Sequence, residues 1–399
     1  MTDRYLLVAV ATGEEDTTWN SLEELSLLLE TAGGETAESF VQNLAHPDPA
    51  TYVGSGKARE LKEMVDAFEA DGIICDDELS PTQLKNLSEI LDCRVLDRTQ
   101  LILDIFAQRA TTSEGKIQVE MAQLQYRMSH LRGIGRDMSR LGGGIGTRGP
   151  GETKLETDRR AIQRRITSLR RDIESMKRVR ETTRKRRNNG MNMVAAIVGY
   201  TNAGKSTLLN RLTGSDVYVQ NQLFATLDPT TRICKLPEGE EILFTDTVGF
   251  ISKLPHQLID AFKSTLEEAK YADVIIHVVD GTDENAQMHM DVVYKTLSDL
   301  GVTGKPVVTL VNKTDLQEEP IKLLDSRADK TIYISAKTGD GIEAFYEELQ
   351  NILREGRKFI DEVIPYAEGS RLDSIRKFGQ ILSEEYTAEG VHVTAYIEE

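Results

Sequence analysis

Several residue types that stabilise small secreted or metal-containing proteins are scarce in this sequence. Its 399 residues include one tryptophan, six histidines and three cysteines. Cys75, Cys93 and Cys234 lie far apart and lack metal-ligand spacing, so neither a disulfide framework nor a zinc site is expected. We interpret all three as small buried apolar residues.

Long apolar runs are missing as well. The run VIIHVV at Val274–Val279 is far shorter than the roughly 20 residues that span a bilayer. The first apolar run of the chain is flanked by acidic residues, which indicates a buried strand and not a signal peptide. We therefore expect no stable membrane insertion and a cytoplasmic location. Because the chain exceeds the roughly 250–300 residues at which one core stops growing, several domains are expected.

Basic residues are outnumbered overall but are concentrated in one segment. The chain has a net charge of −17, whereas Lys116–Gly190 holds twenty Lys/Arg against eight Asp/Glu, a net charge of +12 that leaves −29 for the rest. A solvated helix surface is the ordinary explanation of such a run. Its arginine density and its segregation favour instead a basic arm that neutralises phosphates, which indicates a nucleic-acid partner.

The basic segment has the pattern of two amphipathic helices. Apolar residues recur at alternating intervals of four and three from Ile117 to Leu131 and again from Ile162 to Met176, as in coiled-coil seams. The stretch LGGGIGTRGPGETK, Leu141–Lys154, lies between them. Because glycine and proline disfavour helix, the sequence predicts an antiparallel helical hairpin with a non-helical tip. A flexible tip without function is the alternative.

A phosphate-binding loop is predicted at VAAIVGYTNAGKSTLL, Val194–Leu209. An apolar strand leads into G-x-x-x-x-G-K-S, which runs from Gly199 to Ser206 and opens a helix. In this context the loop amides surround phosphate oxygens, Lys205 reaches the outer phosphates and the Ser206 hydroxyl binds magnesium.

A second glycine-rich stretch, YVGSGKARE at Tyr52–Glu60, is a weaker candidate. It has only G-x-G-K, and Ala58 follows where a magnesium-binding hydroxyl would be needed. We interpret it as a turn that opens a helix, with secondary ATP binding at Gly54–Lys57 as the alternative.

Three later motifs indicate a guanine-nucleotide site. In LFTDTVGF, Asp246 follows an apolar strand and can hold magnesium through water, while the amide of Gly249 can meet a γ-phosphate. In VVTLVNKTD, Asp315 can accept both N1–H and the 2-amino group of guanine, two donors that adenine does not offer there. In YISAKTGDG, the run Ser335–Lys337 can close over the base. Together with the phosphate loop, these motifs predict a GTPase.

The residue after Gly249 departs from the Ras-type pattern. Many GTPases have a glutamine there that orients the attacking water, whereas this sequence has Phe250. Either a partner completes the site or another group supplies the missing function. Asn202 is similar to the loop asparagine of GTPases that use potassium in place of an arginine finger, so potassium activation is a hypothesis. A loop side chain in solvent is the alternative for Asn202.

At this point the chain resembles one family. The stretches GYTNAGKSTLLNRLTG, FATLDPTTR, TDTVGFI and GGGIGTRGPGETKLETDRR together are similar to the HflX family of ribosome-associated GTPases, over nearly the whole chain and most weakly in the last forty residues. The resemblance implies a stress-linked GTPase, monomeric off the ribosome, that binds ribosomal RNA of the large subunit and separates stalled or idle ribosomes. It also selects Thr226 over Thr230 and Thr231 as the magnesium-binding threonine of the first switch.

The resemblance and the motifs together define the expected site, with Mg²⁺ as cofactor, GTP or GDP as nucleotide and K⁺ as a hypothesis. Catalytic roles are expected for Lys205, Thr226, Gly249 and Asn202, and magnesium binding for Ser206, Thr226 and, through water, Asp246. The residues expected to contact RNA are Arg136, Arg140, Arg148 and Lys154. The residues expected to contact the nucleotide are Gly199, Tyr200, Thr201, Asn202, Ala203, Gly204, Lys205, Ser206, Thr207, Phe224, Ala225, Thr226, Leu227, Asp228, Asp246, Thr247, Val248, Gly249, Asn312, Lys313, Asp315, Ser335, Ala336 and Lys337.

The predicted fold class is a multidomain α/β protein. We expect a small N-terminal α/β domain with a mostly parallel sheet over residues 1–112, because strand-like and helix-like runs alternate there. The basic hairpin follows over 113–190, a P-loop GTPase domain with a mixed sheet flanked by helices over 191–357, and a βαβ-like appendix over 358–399. In the appendix the stretch Ser370–Tyr386 is predicted as one helix.

Two other classes of function remain open from the sequence. A GTP-gated RNA-processing enzyme would need a second catalytic constellation, and no reactive cysteine pair or metal-ligand cluster is visible in the sequence. A regulatory docking protein could use the basic helix on anionic lipid, although that would require a wider apolar face than these seams provide.

Overall fold

The computed structural model divides the chain into two compact units, which are described separately. The first unit comprises residues 1–181, 220–228 and 248–266, and the second comprises 182–219, 229–247 and 267–399. Within the part of the chain that is described, no helix is both long enough and apolar enough to cross a membrane. The residues that the structure describes are 2–13, 15–141, 150–187, 193–214, 223–224, 230–253, 268–317, 319, 322–355 and 357–398.

The N-terminal part of the first unit alternates strands and helices, as predicted. Its four strands form one parallel sheet in the order β2-β1-β3-β4. The elements are β1 (Arg4–Ala11), α1 (Glu15–Ala32), β2 (Glu35–Asn43), α2 (Ser55–Ala67), β3 (Gly72–Cys75), α3 (Pro81–Leu91), β4 (Arg94–Asp97) and α4 (Arg98–Arg109).

Local sequence rules explain several of these element ends. The Ser80 hydroxyl accepts a hydrogen bond from the Gln83 amide in a capping box, and Pro81 takes the first helical position of α3. Gly54 caps α2, so the weaker glycine-rich stretch is a turn that opens a helix, as we interpreted it. Cys75, the last residue of β3, is buried in the core of this sheet, as predicted.

The basic segment forms two long helices, α5 (Ser113–Leu141) and α6 (Pro150–Arg187). Ion pairs between Arg165 and Glu120 and between Arg180 and Glu114 show that the helices run antiparallel. The apolar seam lies between them, and Ile166 is fully buried there. At 38 residues, α6 is about 57 Å long.

The expectation of a non-helical tip over Leu141–Lys154 was wrong at its carboxyl end. The helix α6 begins at Pro150 and already includes Lys154. Proline suits the first position of a helix, because its missing N–H would have had no intrahelical partner and its φ is already helical. Residues 142–149, and Arg148 with them, lie outside the described residues. Arg136 and Arg140 are part of α5.

The second unit contains a six-stranded sheet with the order β10-β9-β8-β5-β7-β6. Neighbouring strands are parallel except for β6, which pairs antiparallel with β7, so the predicted mixed sheet is confirmed. Cys234 is buried in its core as predicted, whereas Cys93 in the first unit is only half-buried. The elements are β5 (Met193–Gly199), α7 (Lys205–Thr213), β6 (Thr230–Lys235), β7 (Glu241–Asp246), β8 (Val274–Asp280), α8 (Ala286–Asp299), β9 (Val307–Asn312), β10 (Lys330–Tyr333) and α9 (Ile342–Arg354).

The last forty residues form a small layer of three strands and one helix. The strands β11 (Arg357–Ile364), β12 (Gln380–Tyr386) and β13 (Val391–Glu398) pair antiparallel in the order β11-β13-β12. The predicted helix over Ser370–Tyr386 was wrong, because α10 (Gly369–Phe378) ends before Gly379 and the rest is strand. The βαβ-like expectation was likewise wrong, since the three strands are antiparallel.

Candidate nucleotide-binding site

The phosphate loop connects β5 to α7 with a backbone that glycine alone tolerates at two points. Gly199 has φ 153° and Gly204 has φ 98°. A Cβ atom at Gly199 would lie 2.2 Å from the Val278 carbonyl oxygen, and one at Gly204 would lie 2.1 Å from Asn312 Nδ2. Both glycines are therefore required for the loop to pack against its neighbours. The expected phosphate contacts Gly199 to Thr207 run without interruption from the end of β5 through the loop into the first turn of α7.

Lys205 is buried at the start of α7, and its Nζ donates to the Tyr200 carbonyl oxygen at 2.6 Å. Burial lowers the pKa of the Lys205 ammonium to about 8, although the nearby Asp246 carboxylate acts in the opposite direction. The lysine is therefore bent over its own loop. A phosphate bound in the loop would supply negative charge beside the buried ammonium and so stabilise its charged form.

The depressed Lys205 pKa predicts a pH dependence of nucleotide binding. Phosphate oxygens stabilise the charged ammonium, so above pH 8 the protein must take up a proton as it binds. We expect the affinity for GDP to fall as the pH rises from about 8 to 9, by up to about tenfold per pH unit. Titration calorimetry at several pH values measures it. Guanine also loses its N1 proton in alkaline solution, which would weaken binding by itself. Lys205→Arg is the control, because arginine does not titrate in this range while guanine still does. An equal fall of GDP affinity with pH in both proteins would contradict the prediction.

Oxygen atoms suited to magnesium meet where β7 ends beside α7. The Ser206 hydroxyl donates to Asp246 Oδ2 at 3.1 Å, and Asp246 is 1% exposed. The Thr247 hydroxyl donates to the Ile197 carbonyl oxygen at 2.8 Å and fixes the end of β7 against β5. A hydroxyl and a carboxylate are hard oxygen ligands, so Ser206 and Asp246 fit Mg²⁺. Thr226, with Ala225, Leu227 and Asp228, lies outside the described residues.

The side chain of Asn312 joins the phosphate loop to the loop that follows β10. Its Nδ2 donates to the Ala203 carbonyl oxygen at 2.8 Å, and its Oδ1 accepts from the Ala336 amide at 2.9 Å. The two bonds satisfy both polar ends of a side chain that is 3% exposed. The structure therefore brings residues predicted to contact the phosphates and residues predicted to contact the base together around the side-chain amide of Asn312.

The residues predicted to recognise the base lie around Asp315, three residues after the carboxyl end of β9. The Ser335 hydroxyl donates to Asp315 Oδ1 at 2.7 Å and also accepts from the Thr338 amide at 3.0 Å, which orients the carboxylate. Lys313 lies beside it at φ 68° and pairs with Asp280 at 2.5 Å. An exposed carboxylate held by one oxygen still presents the second to a planar pair of donors.

Two residues of the site were missed by sequence reasoning. Arg211, in the last turn of α7, donates to the carbonyl oxygens of Ala336 and Lys337 and so holds the loop that contains them against α7. The imidazole of His289 stacks on the phosphate-loop Tyr200 ring with 3.7 Å between centroids and pairs with Asp283 at 3.0 Å. No local motif marks either residue, because each acts on a segment far away in the chain.

Among the described residues, three of the expected nucleotide contacts belong to the first unit. Phe224 is 2% exposed and packs edge to face on Phe106, with 4.6 Å between the ring centroids. Val248 and Gly249 are also buried and belong to the same unit. Their contact with nucleotide therefore stays a prediction.

Three family profiles together match most of the chain between residues 19 and 313. They are described as "GTP-binding GTPase N-terminal" over residues 19–107, "GTP-binding GTPase Middle Region" over 109–187 and "50S ribosome-binding GTPase" over 194–313. The first two correspond to the N-terminal sheet and the basic hairpin, and the third begins at the phosphate-loop strand.

Relatives are similar to this chain over most of their length. GTPase HflX of Lacrimispora saccharolytica is 52% identical over 395 residues, covering 99% of this chain and 93% of the relative. GTPase HflX of Escherichia coli is 42% identical over 338 residues, covering 84% and 79%. A crystal structure of SsGBP in complex with GDP is 26% identical with a TM-score of 0.50 and covers 89% of this chain and 99% of that chain.

Proposed function

The chain belongs to the HflX family of GTPases, and from that premise we propose that it binds the large ribosomal subunit and separates stalled or idle ribosomes under stress, in a GTP-dependent manner. That the chain binds and hydrolyses GTP follows from the family and its GTPase domain. The proposal adds the partner and the consequence of hydrolysis. It also takes the cytoplasm as the location and a monomer as the state off the ribosome.

In the proposed reaction, Lys205 neutralises the outer phosphates, and the loop amides between Gly199 and Ser206 hold them. A bound Mg²⁺, held by Ser206, through water by Asp246 and by the predicted Thr226, would neutralise charge that develops between the β- and γ-phosphates. Asp315 selects guanine while Asn312 keeps the base loop and the phosphate loop in register. Gly249 is proposed to donate its amide to the γ-phosphate.

The attacking water needs a group other than the residue after Gly249. Phe250 has an apolar ring without a donor or acceptor, and it is 1% exposed. Asn202 is exposed at φ 61° in the phosphate loop and remains the proposed ligand of a potassium ion. A ribosomal group is the other proposed source of the missing function, and it would make hydrolysis depend on the ribosome.

The ribosome assignment rests chiefly on one described feature, the solvent side of α6. Between Glu156 and Arg180 this helix holds nine basic and four acidic residues in a chain whose net charge is −17. Two of the arginines, Arg165 and Arg180, pair with glutamates of α5 and stabilise the hairpin. The others form a separate exposed set.

Four of those exposed arginines follow one side of α6 opposite its buried seam. Arg160, Arg164, Arg171 and Arg178 are separated by four, seven and seven positions, which places them in a line about 27 Å long. We name them the arginine row. Ribosomal RNA presents a continuous surface of phosphates, and arginine binds phosphate with two parallel hydrogen bonds. The row thus supports RNA contact along the helix, in addition to the predicted contacts at Arg136, Arg140, Arg148 and Lys154.

The test removes charge from one side of the hairpin at a time. In R164Q/R171Q we expect ribosome affinity to fall by about tenfold, and the slope of log affinity against log salt to fall by about 2, because two phosphate contacts are lost. Affinity is measured by sedimentation with a non-hydrolysable GTP analogue, and separation of the subunits by light scattering. GTP affinity without ribosomes should not change.

The matched control is R165Q/R180Q, which removes the same charge from arginines that pair across the hairpin. It should retain ribosome affinity within about threefold, because the RNA-facing row is intact. An equal loss of ribosome affinity in both variants would mean that ribosome binding depends on the net charge of the hairpin and not on the arginine row. Binding without subunit separation in the unsubstituted protein would favour an RNA-processing or docking role instead.

A further inference from the structure

The side chain of Tyr200 joins the phosphate loop to the helix α8. Tyr200 follows Gly199 in the loop and is 8% exposed. Its ring lies almost parallel to the imidazole of His289, in the first turn of α8, with 3.7 Å between the centroids and 10° between the planes. Both residues belong to the second unit, so the contact is internal to one compact body. The loop is thus held by a helix that carries none of the nucleotide motifs.

The imidazole of His289 is fixed by the residues that begin the same helix. Its Nδ1 lies 3.0 Å from Asp283 Oδ2, and Asp283 Oδ1 accepts from the Asn285 amide at 2.8 Å. The hydrogen bond from His289 lowers the pKa of the Asp283 carboxyl, although burial acts in the opposite direction, so the acceptor stays charged. One edge of the imidazole is therefore bound to a carboxylate, while one face is covered by the Tyr200 ring.

The helix that carries His289 is a firm support. Ala286 and Met290 pack with Val279 of β8 in a small core cluster, and Val293 and Leu297 continue the buried side of α8. A side chain on a packed helix keeps its contacts more precisely than one on a loop. His289 can therefore restrict the phosphate loop more than the loop restricts His289.

The main chain of Tyr200 determines where the charge of Lys205 lies. The Tyr200 carbonyl oxygen accepts from Lys205 Nζ at 2.6 Å. An ammonium has three protons, so this bond occupies one donor and leaves two for phosphate oxygens. The rotamer of a ring depends on the φ and ψ of its own residue, and those angles also direct the carbonyl. Fixing the Tyr200 ring therefore helps to fix the direction of the Lys205 ammonium.

We propose that His289 is a positioning residue for the outer phosphates of the bound nucleotide, acting through Tyr200 on Lys205. Without the stack the loop samples more conformations, and binding must restrict them at a cost in affinity. The phosphate-loop lysine reaches the outer phosphates and not the one next to the ribose. The cost should thus fall on GDP and GTP, whereas GMP, which lacks outer phosphates, should be insensitive.

The test compares GMP with GDP in the full chain, by competition with fluorescently labelled GDP. In His289→Ala the ratio of the GMP to the GDP dissociation constant should fall about fivefold, the size expected for one aromatic contact, with the GMP constant changed less than twofold. His289→Phe keeps a ring for the stack without the bond to Asp283, and its ratio should stay within about twofold of the unsubstituted value. His289→Gln keeps a donor without a ring and should behave as His289→Ala does.

Two further variants separate positioning from a general structural role. His392→Ala removes a similar histidine–aspartate pair from the same unit, since His392 Nε2 lies 2.7 Å from Asp361 Oδ1, and it should change neither constant. In Tyr200→Ala the ratio should fall at least as far as in His289→Ala. Adding His289→Ala to Tyr200→Ala should cause no further fall, because one residue acts through the other.

Three results would overturn the proposal. The first is a ratio in His289→Ala within twofold of the unsubstituted value, and the second is an equal loss of affinity for GMP and GDP, which would indicate a disturbed domain. The third is a ratio in His289→Phe as low as that in His289→Ala, which would assign the effect to the Asp283 bond and not to the stack. Thermal unfolding followed by circular dichroism checks that each variant is folded. If His289→Ala is not, His289→Gln against His289→Phe gives the same comparison.

Discussion

Replacing Asp315 by asparagine is expected to lower the affinity for GTP by about 10⁴-fold. The carboxylate is the predicted acceptor for two guanine donors, whereas an amide presents a donor of its own to one of them and leaves it unpaired. Because Ser335 donates to Asp315 Oδ1, the asparagine side chain should keep the orientation of the aspartate, but it should no longer recognise guanine. The same variant should gain affinity for xanthosine triphosphate, since xanthine carries a carbonyl where guanine has its amino group.

Fluorescence titration with labelled GTP and labelled xanthosine triphosphate measures both affinities. Asp373→Asn, on the exposed surface of α10, is the control for the loss of a carboxylate and should bind as the unsubstituted protein does. Retention of GTP affinity within tenfold by Asp315→Asn would show that another group selects the base. A parallel loss for both nucleotides would indicate a damaged loop instead of changed specificity.

Replacing Arg98 by methionine is expected to lower the free energy of unfolding of the first unit by about 3–5 kcal/mol. Removing one partner of a buried ion pair leaves the other charge buried without compensation. Asp76 is fully buried, and Arg98 also pairs with Glu24 at 2.7 Å. Methionine has a similar volume, so most of the loss should come from the charge.

The single tryptophan makes this effect measurable. Trp19 lies in α1, the helix that also carries Ser21 and Glu24, so its fluorescence during urea denaturation reports on the unit that contains Arg98. Arg59→Met on the exposed side of α2 is the control and should change the free energy by less than about 0.5 kcal/mol. A loss below about 1 kcal/mol in Arg98→Met would show that the Asp76 charge is compensated elsewhere.

The pKa of Asp76 adds a pH test to the same variant. Its folded pKa is lowered by Arg98 and Lys253 against the effect of burial, so the pair contributes stability above about pH 4, and that contribution is lost as the pH falls through the folded pKa. In Arg98→Met burial should raise the Asp76 pKa. The difference in stability between the two proteins should therefore shrink as the solution is acidified.

Local patterns made much of the nucleotide site predictable. The phosphate loop is one continuous stretch in which strand, glycines and helix start follow one another, and the structure confirms its backbone. The N-terminal sheet was predictable for the same reason, because each strand and helix carries its own periodicity. The helix start at Pro150 obeyed a local rule that the glycines around it obscured. In β12, a helix pattern extended past Gly379 concealed a strand that forms only by pairing with β13.

Contacts between distant segments could not be predicted in this way. Asn312 reaches a carbonyl 109 positions away, and Lys253 reaches Asp76 across 177 positions. Both contacts depend on how whole helices and strands pack, so no spacing of residues in the sequence predicts them. The role of Arg211 was hidden for the same reason, since an arginine in the last turn of a helix usually needs no partner beyond that helix end.

The bonds made by Asn312 and Arg211 also bear on how fast nucleotide is captured. Together they attach the loop Ser335–Lys337 to the phosphate loop and to the far end of α7. A cleft whose two sides are already joined by hydrogen bonds loses little conformational entropy when a ligand binds, because few side chains remain to be restricted to one rotamer. Association should then be limited by diffusion and orientation, and differences in affinity among nucleotides should appear mainly in how slowly they leave.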